Sequence, residues 1–326
     1  MAGESVGDEG VLALLSGDDI IVPFQLEDMP VRGRLARLGP AAQRVLNAHA
    51  YPERVSRLLG EALALTAMLG SALKFDGYFT LQAQGDGALS LLVADYETPA
   101  DGAAGRVRGY ASFDAAAIAA LGEGPRSIDA VFGKGSLALT VDPRLGRDRY
   151  QGIVPLEGEN LAACARHYFA QSEQIPTHVE LAVAQHFTRG AAHGVWRASG
   201  LMIQYIPEEG GHAAAMSIAP EDEFESDDWV RAKLLADTVG ADELVDPRLS
   251  PDRLLYRLFH QEGVRVFAPQ SVEFGCRCTR EKIASVLAAY SYDEVADLAQ
   301  DGVIETRCEF CSTPYVFQLS DFAPKK

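Results

Sequence analysis

Four of the chain's five cysteines fall in its last fifth, as Cys276-Arg277-Cys278 and, 29 residues further on, Cys308-Glu309-Phe310-Cys311. A cysteine thiolate is both a soft metal ligand and a two-electron redox partner. Two close pairs on a helix-length spacer can fold back to place four sulfurs at the tetrahedral corners that one Zn²⁺ requires. The same thiols could instead close two local disulfides. Spacing alone leaves both a purely structural zinc and a redox switch open. Zinc is redox-inert but its thiolates are not, so oxidising either pair would remove two ligands at once and release the metal. A Cys-x-Cys ring is tighter than a Cys-x-x-Cys ring and should be the more easily reduced of the two.

The elements that must position these cysteines are small. Residues 280–289 and 292–299 carry a helical pattern, Asp301-Gly302 turns the chain, and 303–306 with 315–319 predict a hairpin around the second pair. Residues 271–326 hold few large apolar side chains. Bound metal would therefore be their main source of folding free energy, on the order of 10 kcal/mol.

Upstream, residues 16–207 predict an α+β domain of mixed helices and mostly antiparallel sheet. Residues 18–26 read as a sheet edge and 31–38 as a second strand. From 41 to 73 the period changes, with Leu58, Leu59, Ala62, Leu65, Met68, Leu69 and Leu73 on one apolar helix face that Pro52 could start. Two glycine-turn hairpins follow, 78–84 with 88–94 around Gly85-Asp86-Gly87, and 128–132 with 136–141 around Gly133-Lys134-Gly135. Short helices are expected at 114–121 and 159–174, then strands at 179–187 and 196–206. Ser172-Glu173-Gln174 reads as a helix end held by side-chain to backbone hydrogen bonds before Pro176. Residues 1–15, rich in Gly, Asp, Glu and Ser, read as a disordered extension.

Residues 208–270 carry 14 acidic against 6 basic residues, a balance of −8 within a chain of −17. Trp229, Leu234, Leu235 and Val239, then Leu254, Leu255, Leu258 and Phe259, sit at helical spacing within this stretch. Short helices in an acidic connector are marginal alone. The segment is either an ordinary linker or a latch whose apolar face covers part of the first domain.

A net charge of −17 repels phosphate backbones and anionic lipid, which disfavours nucleic acid and membrane surfaces as partners. The opening residues lack the basic start and apolar core of a signal peptide, and no apolar run approaches the roughly 20 residues of a membrane span. The expected compartment is cytoplasmic, where a thiol cluster more often means metal than a disulfide framework. Cys164 falls on an apolar helix face and reads as a packed free thiol. The histidines show no metal-ligand spacing, and no nucleophile elbow or phosphate-binding glycine loop is present. No enzyme activity is expected.

The sequence resembles the redox-regulated 33 kDa chaperonin, or heat shock protein 33, family over about residues 18–320. The likeness is carried by Leu58-Leu59-Gly60-Glu61-Ala62-Leu63, Leu81-Gln82-Ala83-Gln84-Gly85-Asp86-Gly87, Tyr150-Gln151-Gly152-Ile153-Val154-Pro155 and Tyr168-Phe169-Ala170-Gln171-Ser172-Glu173-Gln174-Ile175-Pro176. The cluster Cys276, Cys278, Cys308-Glu309-Phe310-Cys311 with Tyr315 completes it. Thr279 and Ser312 stand where the family more often has serine and asparagine.

The resemblance implies an ATP-independent holdase, kept inactive while Cys276, Cys278, Cys308 and Cys311 bind one zinc ion. Oxidation to Cys276–Cys278 and Cys308–Cys311 disulfides would expel the metal, unfold 271–326, loosen the 208–270 linker and expose apolar surface to unfolding client proteins. Active members form homodimers. Two rivals come from other classes: a constitutive zinc-ribbon adaptor binding protein or nucleic acid, and a thiol–disulfide oxidoreductase using Cys308 and Cys311. The first lacks a basic surface. The second would need a thioredoxin-like strand–helix setting.

Overall fold

Period-two alternation builds the body of this protein. The computed structural model describes residues 17–206, apart from 75, 101–102, 123, 125–126, 145–147 and 188–193, and residues 226–323. The expected disordered extension at 1–15 and most of the acidic run at 221–228 lie outside the described residues.

Among the described residues nine strands precede the linker: β1 (Ile20–Leu26), β2 (Val31–Leu38), β3 (Gly77–Gly85), β4 (Leu89–Glu97), β5 (Gly105–Phe113), β6 (Gly135–Pro143), β7 (Tyr150–Pro155), β8 (Thr177–His186) and β9 (Val195–Tyr205). Two more, β10 (Val264–Val266) and β11 (Gln270–Phe274), come after it. All join one eleven-stranded sheet in the order β7-β6-β3-β4-β5-β11-β1-β2-β9-β8, with β10 also on β1. Strand β11 is a stitch. Its first residues pair antiparallel with Ile20 and Ile21, and its last three pair parallel with Gly105–Val107. It thereby joins the β3–β7 half of the sheet to the half containing β1, β2, β8 and β9.

The helices before the linker are α1 (Pro40–Leu46), α2 (Glu53–Gly70), α3 (Ala115–Ala120), α4 (Ile128–Phe132) and α5 (Leu161–Tyr168). Helix α2 lies across both halves of the sheet and buries Leu59, Leu63, Met68 and six other apolar side chains in the main core. Pro52 stands just before it as the N-cap, and the expected run from 41 breaks there into α1 and α2.

Three local expectations need correction. Residues 128–132 form a helix, α4, rather than a hairpin strand. Ile128, Val131 and Phe132 are buried at i, i+3 and i+4 spacing, and Gly133 ends the helix at φ +68°. The Phe132 carbonyl then accepts from the Gly87 amide, so the second glycine turn packs on the first instead of making its own hairpin. Strand β1 is also no edge. It lies between β2 on one side and β10 with β11 on the other. Pro23, which has no N–H to donate, falls in the gap between β10 and β11, where the missing donor is harmless. The helix expected at 159–174 forms over 161–173, in two parts. Helix α5 passes into a π-helical turn at Phe169–Glu173, and the Glu173 carboxylate accepts from the Tyr168 and Tyr150 hydroxyls rather than from backbone amides.

The linker forms α6 (Asp227–Ala236), α7 (Ala241–Val245) and α8 (Pro251–Phe259), which cover the opposite face of the sheet from α2. Trp229, Leu254, Leu255, Leu258 and Phe259 are buried against Val22, Phe24, Leu26, Leu35 and Ile203, with Phe259 stacked on Phe24 at 5.6 Å between centroids. Two buried core arginines fasten the linker backbone. Arg37 donates to the Glu243 and Leu249 carbonyls, and Arg197 donates to the Val245 carbonyl while pairing with Asp18.

After β11 come α9 (Arg280–Leu287), α10 (Tyr292–Asp297) and the antiparallel hairpin β12 (Val303–Arg307) with β13 (Pro314–Gln318). This module's own core is Leu287, Val295, Ile304 and Phe317. Among the described residues no helix is long and apolar enough to cross a membrane.

Candidate metal centre

Each cysteine pair sits in a turn whose shape is set by a neighbouring element. Strand β11 ends at Phe274 and delivers Cys276 and Cys278, after which the Thr279 hydroxyl caps α9 by accepting from the Lys282 amide. Cys308 and Cys311 lie in the β12–β13 connection. There the Cys308 amide donates to the Thr313 carbonyl at 3.0 Å, and the Ser312 amide donates to the Cys308 carbonyl at 2.8 Å. Ser312 takes φ +55° to close that knuckle.

The four sulfurs converge on one point, all within 4.8 Å of one another. Cys276 Sγ lies 3.7 Å from Cys308 Sγ, and Cys278 Sγ lies 3.4 Å from Cys311 Sγ. Four thiolates on a tetrahedral zinc, with Zn–S of about 2.3 Å, stand about 3.8 Å apart. The donor set therefore fits a metal ion of that class. All four are free thiols, Cys308 and Cys311 buried and the other two half-buried.

Burial and the neighbouring sulfurs set their electrostatics. Burial pushes the Cys278 thiol up to about 12, with its three cysteine neighbours adding to the rise against a hydrogen bond to Tyr315. Burial also raises Cys308. At Cys311 burial acts the same way, but Thr313 and the adjacent Cys278 and Cys276 thiols outweigh it and bring the group down to about 7. Ionising all four needs a compensating positive charge. Cys164 stands apart: it is fully buried, bonded to the Glu157 carbonyl, and pushed up to about 11 by burial.

The residues inside the knuckles dock the module on the sheet. Arg277, between the first two cysteines, pairs with Asp95 on β4 and lies over the Tyr78 ring at 4.2 Å. Asp95 is buried, and it also receives Arg108 at 2.6 Å and the Thr80 hydroxyl at 2.6 Å. Phe310, between the second two cysteines, lies 3.8 Å beneath the Arg108 guanidinium and faces Tyr110. His49 donates to the Glu309 carbonyl at 2.6 Å. The sequence reading did not find Asp95, Arg108 or His49. Their partners lie some 180 to 260 positions away in the chain, and the only local signal was the pair of large side chains enclosed by the cysteines.

The comparisons with known proteins agree with this layout. The family model described as "Hsp33 protein" matches residues 19–318. This chain belongs to the Hsp33 family. Among its curated Hsp33 relatives, the "33 kDa chaperonin" of Caulobacter vibrioides is 43% identical over 311 residues, covering 94% of this chain and 96% of that protein. The Shewanella sediminis protein of the same name is 38% identical, covering 91% and 92%. The crystal structure of the Thermotoga maritima 33 kDa chaperonin superposes with a TM-score of 0.73 at 23% identity, over 93% of this chain and 96% of that one, and so shares the fold. Hsp33 is a family of chaperones rather than enzymes, and a cluster of four cysteines able to hold a metal ion fits this member's place in it.

Proposed function

We propose that this chain is a redox-regulated, ATP-independent holdase, inactive while Cys276, Cys278, Cys308 and Cys311 bind one Zn²⁺ and active once they are oxidised. The carrying observation is the convergence of four free thiols in a module with a four-residue buried core, placed directly after the strand that stitches the sheet. When bound, zinc would supply most of that module's folding free energy, on the order of 10 kcal/mol.

The chain's own residues do the rest. The thiols of Cys276 and Cys278 form one disulfide and those of Cys308 and Cys311 the other. Each pair of thiolates gives two electrons to one peroxide, which takes up two protons from solvent and leaves as two waters. The remaining core of Leu287, Val295, Ile304 and Phe317 is too small to hold the module folded. Arg277 and Phe310 then leave Asp95 and Arg108, and β11 loses its downstream anchor. Helices α6, α7 and α8, of 10, 5 and 9 residues, are too short to persist without the sheet beneath them. Their departure uncovers Val22, Phe24, Leu26, Leu35 and Ile203, an apolar surface fit to hold unfolding client proteins.

In this reading the chain divides into an extension at 1–15, a core at 16–207, a metastable latch at 208–270 and the zinc module at 271–326, with the active form a homodimer working in the cytoplasm. The net charge of −17 argues against nucleic acid or membrane as partner. An oxidoreductase role is poorly served by Cys308 and Cys311, which lie in a hairpin turn rather than at a helix N-terminus. The test is suppression of client aggregation by the reduced, zinc-loaded chain and by the chain after peroxide at raised temperature. Suppression by the oxidised form alone supports the proposal; equal suppression by both overturns it.

A further inference from the structure

A second cluster of ligating side chains lies where the linker meets the sheet, on the far side from the cysteines in sequence. Strand β8 alternates: Val179 and Val183 enter the main core beside α2, while His178, Glu180 and Ala182 face the linker helices. His178 is only 3% exposed. Its Nε2 lies 3.2 Å from Glu180 Oε1 and 3.1 Å from Oδ1 of Asp237, the residue that caps the C-terminus of α6. One nitrogen and two carboxylate oxygens thus stand within 4.8 Å of one another.

The contact is close, yet it is not a hydrogen bond. Neither ring nitrogen of His178 has a hydrogen-bond partner among the described residues, although two carboxylates touch the ring. A buried polar nitrogen is normally satisfied, so the oxygens stand beside Nε2 rather than in line with it for a reason that needs explaining. An ion on the nitrogen's lone-pair axis provides one. With metal–nitrogen and metal–oxygen distances of about 2.0–2.2 Å, flanking ligand oxygens fall about 3.0–3.5 Å from the nitrogen, to the side of its axis. The local charge points the same way: two adjacent carboxylates repel unless a cation lies between them.

The geometry points to a divalent transition-metal site, made by His178, Glu180 and Asp237, that clasps the linker to the sheet. One imidazole and two carboxylates are the donors of a zinc-class ion bound through nitrogen and oxygen, distinct from the soft four-thiolate centre. Three protein ligands leave a position for water. The Glu180 and Asp237 side chains are 36% and 43% exposed, which gives the ion a path from solvent. Two ligands belong to β8 and one to α6, so the ion binds only while the linker is seated. An ion at ten times its dissociation constant would lower the population of the detached linker about elevenfold. The site would tie linker release to metal supply whether or not the thiols are redox-active.

The test uses the full chain, kept reduced, with Zn²⁺ itself as the probe. Bound zinc is counted by calorimetric titration, and hydrogen exchange of residues 227–237 is followed alongside. The wild type should take up two equivalents, the second slowing exchange in α6. D237N, a change at a partly exposed position, should lose the second equivalent and the slowing while keeping the first. C308A should do the reverse and lose the first. H178Q repeats the test at the buried ligand. A wild type that stops at one equivalent, or a D237N variant that binds the second as tightly as the wild type, overturns the assignment without touching the thiol centre.

Discussion

At the scale of single residues, the function proposed here rests on four sulfurs and on the two side chains enclosed between them. In a D237N background, Cys308→Ala should reduce bound zinc from one equivalent to near zero, measured by metal analysis of the reduced protein; retention of a full equivalent there would break the four-ligand reading. Asp95→Asn preserves shape but removes the charge that holds Arg277 and Arg108. Breaking that buried pairing should weaken docking of the module by about 1–3 kcal/mol and speed peroxide-driven zinc release several-fold, as read with a chromophoric zinc indicator. An unchanged release rate would mean that docking and metal retention are independent. The clustering of the four cysteines was legible in the sequence because their spacing is local within each pair. The docking set was not, because nothing in a linear chain announces that Arg277 will meet an aspartate on β4.

At the scale of elements, burial on both faces of a strand proved the hardest feature to read. The apolar run of β1 looked like an edge because the strands that pair with its second side, β10 and β11, lie more than 230 residues away in the chain. The residues of α4 misled for a different reason: in a five-residue stretch, helical and alternating patterns of burial can look alike. The long period of α2 left no such ambiguity. That helix also carries a pH signature. Burial raises the half-buried Glu61 from 4.5 to about 7, against a smaller opposing pull from Arg57, and burial raises Asp19 from 3.8 to about 6 despite its bonds to the Gly39 and Ala41 amides. Each folded carboxyl keeps a proton that the unfolded chain has already released. Stability should therefore fall as pH rises from about 4 to 7, a slope set by roughly 1.4 kcal/mol per unit of pKa difference. Denaturant midpoints at pH 5 and pH 8 should differ less in Glu61→Gln than in the wild type, and an equal difference would discount Glu61 as a source.

At the scale of the whole molecule, the proposed function makes three layers depend on one another: the module on its metal, the linker on the sheet, and the sheet's two halves on the stitch that leads into the module. The sequence indicated the first two layers through cysteine spacing and an acidic, weakly helical connector. The stitch came only with the structure. Phe259→Ala tests the second layer, since the residue is fully buried on Phe24. It should cost about 3–5 kcal/mol and let the reduced protein suppress aggregation without oxidant; a variant as silent as the wild type would mean that the linker does not cover the client surface. The most direct test removes only the metal. Zinc is stripped from the wild type by a chelator with the thiols kept reduced, and hydrogen exchange is followed across residues 280–322 and 227–262. Loss of protection in the module, followed by loss in the linker helices, is the predicted result. Full protection of both segments in the metal-free, reduced chain would contradict the account.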